Sequence, residues 1–205
     1  MMLIYYCCRK FFFPQTIRHR RKLPRRVTRN LLISQLPIQH RDSLSVIMNT
    51  ITYQRATSSD AKTLADYRVM FALELKGDQP QDAIRNLTLQ LQEYFTRAIG
   101  NNSCIAYIAR EGNEVAGIGS IMIREQPGNF LNPSGRVGYV MNMYTVKAFR
   151  RKGVCTGILN AMLNDAAALG ITAFELHATK AGEEVYKKNG FRIHTEPTYR
   201  KYIPS

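Results

Sequence analysis

A short basic turn carries the residues of this chain that are best suited to chemistry. Residues 150–155 read Arg-Arg-Lys-Gly-Val-Cys and lie between a strand-like run, 136–145, and a helix-periodic run, 154–169. A helix that begins near Gly153 would direct its unpaired N–H groups and the positive end of its dipole at the turn, beside three cationic side chains. The sequence therefore predicts that this turn binds a phosphate or pyrophosphate group.

Other phosphate-binding motifs do not fit this turn. The dinucleotide fingerprint needs three spaced glycines, and a P-loop needs Gly-Lys followed by Ser or Thr. Here Lys152 precedes Gly153 and Val154 follows it, so nucleotide hydrolysis has no support. A basic turn before a helix is by itself equally typical of a solvated charged surface, so the assignment depends on the segments around it.

A second motif follows the turn at a suitable distance. After a predicted strand over residues 171–178, residues 185–191 read Val-Tyr-Lys-Lys-Asn-Gly-Phe. The two motifs together resemble those of the GNAT superfamily of acetyl-CoA-dependent N-acetyltransferases. That family carries Arg or Gln, two residues, Gly, one residue and Gly or Ala, followed later by a tyrosine before Gly-Phe. Arg150, Gly153 and Cys155 occupy the three defined positions, and the cysteine departs from the family pattern.

The resemblance implies an α/β fold and a set of site residues. The fold has a central mixed twisted sheet, flanked by helices and splayed between its fourth and fifth strands, with acetyl-CoA in the gap. Tyr186 matches the general acid of the family, and Thr179 stands where the family often has asparagine. The implied cofactor-binding residues are Met143, Tyr144, Thr145, Arg150, Arg151, Lys152, Gly153, Val154, Cys155, Thr156 and Thr179.

The implied reaction is acetyl transfer from acetyl-CoA to a primary amine of a small molecule or peptide, by direct attack in a ternary complex. A phenol with an ordinary pKa of about 10 is protonated at neutral pH, so Tyr186 can donate to the leaving CoA sulfur. A backbone N–H near Thr145 would stabilise the tetrahedral intermediate. Glu125, Glu175 and His177 all remain open as the general base, and each is also consistent with an ordinary polar surface position.

The acceptor site of the family lies against the first two helices and their connection, here residues 73–82. This connection carries Glu74, Asp78 and Asp82, which could attract a cationic amine but are also ordinary helix-cap residues. The acceptor therefore stays open. No metal is expected, because the four histidines are scattered and no metal-ligand spacing occurs.

Patterning from Met48 onward predicts the order of elements that the resemblance requires. Turn residues such as Gly77, Pro80 and Gly100 separate the periodic runs. The predicted order is a strand (51–55), a helix ending near Gly77, a helix from Pro80 to Gly100, a hairpin (104–110 and 115–124), a strand (136–145), a helix (153–170), a strand (171–178), a short helix carrying Tyr186 and a final strand region (191–203).

The first 47 residues differ sharply in composition from the rest. They contain ten Lys or Arg against one acidic residue, whereas residues 48–205 contain nineteen against fourteen. Three explanations stay open: a mitochondrial-type targeting peptide, a tail that binds nucleic acid or a membrane surface, and an extension from a wrongly chosen start codon, which we favour. We expect residues 1–47 to be largely disordered or loosely attached, and residues 48–205 to form the N-acetyltransferase domain.

Two other classes of function compete with an enzyme. One is a catalytically silent CoA-binding sensor of the same fold. The other is a nucleic-acid-binding protein, which is less favoured because the basic tail lacks interleaved aromatic residues. The four cysteines form no disulfide framework, and no stretch of eighteen apolar residues occurs. We therefore expect a cytoplasmic protein without a membrane span, and a homodimer is compatible with this interpretation.

Overall fold

A computed structural model describes residues 50–203 of the chain, and the expected N-terminal extension over residues 1–47 lies outside the described residues. The strands are β1 (Ile51–Arg55), β2 (Cys104–Glu111), β3 (Glu114–Glu125), β4 (Arg136–Thr145) and β5 (Ala173–Leu176). The helices are α1 (Ala61–Lys76), α2 (Gln81–Gly100), α3 (Val154–Ala168) and α4 (Glu183–Lys188). None of these helices is long and apolar enough to cross a membrane.

The five strands form one mixed sheet in the order β1-β2-β3-β4-β5. The first four are antiparallel to their neighbours, and β5 is parallel to β4. A parallel neighbour needs a crossover connection, which α3 supplies between β4 and β5. The predicted mixed sheet flanked by helices is thereby confirmed.

Alternate residues of the strands face different helices, because successive side chains of a strand point to opposite faces of the sheet. On one face, Ile121 and Val140 are buried together with Ile158, Leu159 and Met162 of α3. The opposite face is covered by α1 and α2. Its buried residues include Leu64 of α1, Phe95 of α2, Ala106 and Ile108 of β2, Ile118 of β3 and Tyr144 of β4.

Two glycines of β3 let α3 pack closely on the sheet. A Cβ at Gly119 would stand 2.6 Å from Cγ2 of Ile158 and from Sδ of Met143. A Cβ at Gly117 would stand 2.7 Å from the carbonyl oxygen of Tyr144. The first turns of α3 are therefore held directly against β3, beside the end of β4.

The strand β4 changes its pairing at Asn142. Ser120 lies opposite Met141 whereas Ile118 lies opposite Tyr144, so β4 contains one extra residue, a β-bulge. Asn142 has a φ of 55°, a left-handed conformation that asparagine tolerates, and its buried Nδ2 donates to Oγ of Ser120 at 3.0 Å.

The pairing of β4 with β5 ends where Val140 meets Leu176. Residues 141–145 of β4 therefore have no neighbouring strand on that side within the described part of the chain. This separation of the fourth and fifth strands is the splay that the family resemblance implied.

The predicted final strand is wrong. Residues 191–203 contain no strand, and β5 is shorter than the predicted 171–178. A strand needs a hydrogen-bonding neighbour, and the four residues of β5 offer only a short edge. Pro197 also removes a donor from the middle of the segment. Apolar residues such as Tyr199 and Tyr202, which suggested a strand, are exposed instead.

Candidate active site

The turn before α3 has the backbone geometry of an anion-binding concavity. Arg151 and Gly153 have φ angles of 62° and 82°, so two residues of the turn are left-handed. The first backbone hydrogen bond of α3 runs from the N–H of Gly157 to the carbonyl of Gly153, at 2.9 Å. The N–H groups of residues 154–156 consequently have no carbonyl partner within the helix. Together with the helix dipole, they direct partial positive charge at the turn.

Two cationic side chains of the turn are exposed. Nζ of Lys152 lies 5.1 Å from the ring centroid of Phe149, and the side chain of Arg151 is also at the surface. Neither makes an ion pair with another residue of the described range. Both charges are thus available to an anion in the turn.

Arg150 is directed elsewhere. Its Nε donates to the carbonyl of Thr145 at 3.0 Å, and its Nη2 donates to both carboxylate oxygens of Glu74 at 2.6 and 2.7 Å. The hydrogen bond from Arg150 holds the pKa of the Glu74 carboxyl below its ordinary value, so the carboxylate stays charged at neutral pH. Arg150 therefore joins the end of α1 to the end of β4, and its guanidinium does not face the concavity.

The end of β4 presents backbone groups to the gap beside it. The N–H of Val146, which directly follows β4, donates to the carbonyl of Ala116 in β3 at 3.0 Å. Alternate N–H groups of a strand point to opposite edges, so the N–H of Thr145 points away from β3. Met143 packs on the α3 face and Tyr144 on the α1 face of the sheet. Met143, Tyr144 and Thr145, three of the predicted cofactor-binding residues, thus lie where β5 no longer pairs with β4.

Tyr186 lies on α4 and packs against the core on the α3 side of the sheet. Its ring stands edge-on to Phe191, with 5.9 Å between the ring centroids. Burial raises the pKa of Tyr186 to about 12, with a smaller contribution from Cys155. Tyr186 is therefore a neutral hydrogen-bond donor at physiological pH, and it lies near the first turn of α3.

The two remaining predicted residues of this region have defined surroundings. Burial raises the pKa of the Cys155 thiol, so this side chain is uncharged at neutral pH. The carbonyl of Thr179 accepts hydrogen bonds from the N–H groups of Gly182 and Glu183 at 2.9 and 3.1 Å. Thr179 thereby forms the turn that leads into α4.

The three candidate bases lie in very different places. Nδ1 of His177 is 2.7 Å from the hydroxyl of Tyr139, and His177 directly follows β5 at the point where the strands separate. Glu175 is the register partner of Tyr139 and is exposed. Glu125 lies opposite Arg136 at the other end of β4, about 30 Å from Thr145 at 3.3 Å per residue. The structure therefore places His177 at the gap and Glu175 in the paired part of β5 just before it, and it leaves Glu125 far from both.

Aromatic side chains line the sheet face that α1 covers. The ring centroids of Tyr67 and Phe71 lie 6.5 and 5.7 Å from that of Tyr144. The guanidinium carbon of Arg124 lies 3.7 Å from the ring centroid of Tyr139. The sequence analysis missed these contacts, although the helical spacing of Leu64, Tyr67 and Phe71 places all three on one face of α1.

Within residues 50–203, no group of three or more His, Cys, Asp or Glu side chains is placed to hold a metal ion.

Comparison with known proteins identifies the family. A sequence profile described as an acetyltransferase (GNAT) domain matches residues 76–205. The chain belongs to the GNAT acetyltransferase family. One similar crystal structure is that of a predicted acetyltransferase with acetyl-CoA from Clostridium acetobutylicum. Its sequence is 31% identical to that of this GNAT protein, and the two structures superpose with a TM-score of 0.66. The match covers 74% of this chain and 96% of that chain.

More distant structures share the fold of the GNAT protein. A GCN5-related N-acetyltransferase from Ralstonia eutropha JMP134 is 19% identical, with a TM-score of 0.65 over 74% of this chain and 99% of that chain. A ribosomal-protein-alanine N-acetyltransferase from Brucella melitensis biovar Abortus 2308 is 17% identical, with a TM-score of 0.55 over 76% and 100% of the two chains. No curated protein sequence gives a significant match.

Proposed function

We propose that this GNAT protein transfers the acetyl group of acetyl-CoA to a primary amine of a small molecule or peptide, by direct attack in a ternary complex. The observation that carries the proposal is the gap in the sheet beyond Val140 and Leu176. The unpaired end of β4, the left-handed turn before α3 and the helix that carries Tyr186 all border this region.

The donor-binding part of the proposal rests on backbone geometry. The N–H groups of residues 154–156 and the charges of Arg151 and Lys152 fit a pyrophosphate, and a Cβ at Gly153 would have no atom within 4 Å, so the concavity is open. Residues 143–145 fit a pantetheine chain that pairs like a strand. Thr179 remains a proposed contact, whereas Arg150 would act by holding Thr145 in position.

The residues around the gap can perform the chemistry of acyl transfer. Acetyl-CoA supplies a thioester whose carbonyl carbon is open to attack by an amine. The N–H of Thr145 would stabilise negative charge that develops on the carbonyl oxygen. Tyr186 would donate a hydrogen bond to the sulfur as the bond to carbon breaks.

The pKa of Tyr186 decides what kind of donor it is. A thiol has an ordinary pKa of about 8.5, so complete proton transfer from a phenol whose pKa is about 12 to a solvated thiolate is unfavourable. We infer that Tyr186 mainly stabilises the developing thiolate as a hydrogen-bond donor, and that solvent completes the protonation. His177, beside the hydroxyl of Tyr139, is the best placed of the candidate groups to accept the proton of the amine.

The test is acetyl-CoA-dependent thiol release by the full chain with pooled amines, polyamines, amino acids and peptides. Mass spectrometry of the products then shows whether an acetyl group has been added to nitrogen. We expect at least one pool to accelerate thiol release above the rate of hydrolysis. Tight binding of acetyl-CoA without release in any pool would refute an enzyme and support the silent CoA-binding sensor.

A further inference from the structure

Arg68 lies on the first of the two helices against which the family's acceptor binds, and its guanidinium has no counterion among the described residues. Arg68 lies on α1, is partly buried, and has its guanidinium carbon 5.4 Å from the ring centroid of Phe71. No hydrogen bond or ion pair of this guanidinium forms with any residue in the range 50–203. Burial also lowers the pKa of Arg68. A partly desolvated cation without a counterion is unfavourable, and an anionic ligand would remove that cost.

The carboxylates of α1 are already paired with other cations. Asp66 accepts a hydrogen bond from Nζ of Lys62 at 2.7 Å, and Glu74 binds Arg150. These are the two acidic residues of the helix. The positive charge of Arg68 is therefore not neutralised from its own helix, and Glu74 is not free to attract a cationic acceptor as the sequence suggested.

Unpartnered polar atoms occur in the same layer between the sheet and the two helices. Oδ1 of Asn142 is buried without a hydrogen-bond partner, and only 6% of this residue is exposed. The hydroxyl of Tyr94 on α2 is likewise buried without a partner. Asn142 lies two residues before Tyr144, whose ring packs against Phe71 beneath Arg68. Both atoms are buried, so of these three groups only the partly exposed guanidinium of Arg68 is accessible to a ligand.

We propose that the acceptor is an amine that also carries an anionic group, a carboxylate or a phosphate, and that Arg68 binds this group. The inference rests on the proposed acetyl transfer and deepens it. Guanidinium binds both anions through paired N–H donors, and the cation–π contact with Phe71 restricts the guanidinium to one side of this ring before the ligand arrives. Arg68 is then a specificity-determining residue, distinct from the groups around the thioester.

The experiment compares matched acceptors that differ in the anionic group. Phenylalanine is compared with phenylalaninamide and phenethylamine, and glucosamine 6-phosphate with glucosamine, in the thiol-release assay with the full chain. The two sets distinguish a carboxylate from a phosphate. We expect kcat/KM for at least one anionic member to exceed that of its neutral counterpart about 10- to 100-fold, the range of a charged hydrogen bond.

Variants assign the preference to Arg68. Arg68→Gln should remove it by raising KM for the anionic acceptor, with the neutral acceptors and acetyl-CoA affinity unchanged, and Arg68→Lys should restore part of it. Arg85→Gln is the matched control, because Arg85 is an exposed arginine of α2. Melting temperatures of the variants show whether folding is affected.

Two outcomes would overturn the inference in different ways. If the neutral acceptors turn over equally fast or faster, the acceptor needs no anionic group. If Arg68→Gln lowers kcat/KM equally for all acceptors, Arg68 does not bind such a group. Either result refutes this inference and leaves the proposed acetyl transfer intact. Absence of thiol release with every amine removes the proposed function and this inference together.

Discussion

Two glycines at the ends of α3 provide an internally controlled test of the pyrophosphate site. Gly153 precedes the helix with a φ of 82°, and Gly170 follows it with a φ of 78°. A Cβ at either position would have no atom within 4 Å. Alanine at either end therefore introduces the same kind of backbone strain without a steric clash, and only one end faces the proposed ligand.

The expected loss of stability follows from the backbone conformation. A left-handed conformation costs an L-residue about 1–2 kcal/mol. In a domain of 150–250 residues, 1 kcal/mol shifts the melting temperature by about 2–4 °C. Gly153→Ala and Gly170→Ala should each melt about 2–8 °C below the parent protein without ligand.

The ligand separates the two variants. Acetyl-CoA at about 100 times its Kd stabilises the folded state by about 2.7 kcal/mol, which corresponds to about 5–11 °C. Gly170→Ala should keep this increase. Gly153→Ala should lose most of it, because a Cβ in the concavity and a displaced helix start both disturb the contacts of the N–H groups with the pyrophosphate.

The assay is a thermal melt of each protein over a series of acetyl-CoA concentrations, checked by calorimetric titration. If both variants retain the parent's increase, the turn before α3 does not hold the pyrophosphate. If both lose it equally, the effect comes from general distortion of α3, and the reasoning from Gly153 fails.

Three further predictions concern side chains. Tyr186→Phe keeps the ring beside Phe191 and should preserve acetyl-CoA affinity, while turnover falls about 100-fold, the lower end for loss of one hydrogen-bond donor to a developing charge. Unchanged turnover when chemistry limits the rate would make this tyrosine structural. Because its pKa is raised to about 12 in the folded state, the folded state holds the proton more tightly. Stability should therefore fall as pH rises from about 10 to about 12, and denaturant unfolding should show a smaller fall in Tyr186→Phe. Glu74→Gln and Asp66→Asn each break an exposed ion pair of α1, so each should lower the free energy of unfolding by about 0.2–1 kcal/mol. Only Glu74→Gln should weaken acetyl-CoA binding, because it releases Arg150. Equal acetyl-CoA affinities of the two variants would refute this positioning role of Arg150.

The sequence by itself determined the order of elements and the position of the turn. Apolar periodicity marked α3, and the basic residues around Gly153 marked the turn before it, because both signals depend on neighbours along the chain. The hairpin of β2 and β3 and both N-terminal helices were equally local. The two GNAT motifs then connected the turn before α3 with Tyr186, since each motif is a short run of residues whose spacing is visible without a fold.

Only the tertiary structure decided which side chains meet. Arg150 belongs by sequence to the basic turn, yet its guanidinium binds Glu74, a residue 76 positions earlier. The pKa of Tyr186 depends on burial against other elements, and the unpaired charge of Arg68 depends on which carboxylates of α1 are already paired. Even the strand predicted over 191–203 failed for this reason, because a strand requires a partner edge and the local pattern cannot show whether one exists. Pairing, burial and charge balance are properties of residues distant in the chain, so they follow from packing and not from spacing.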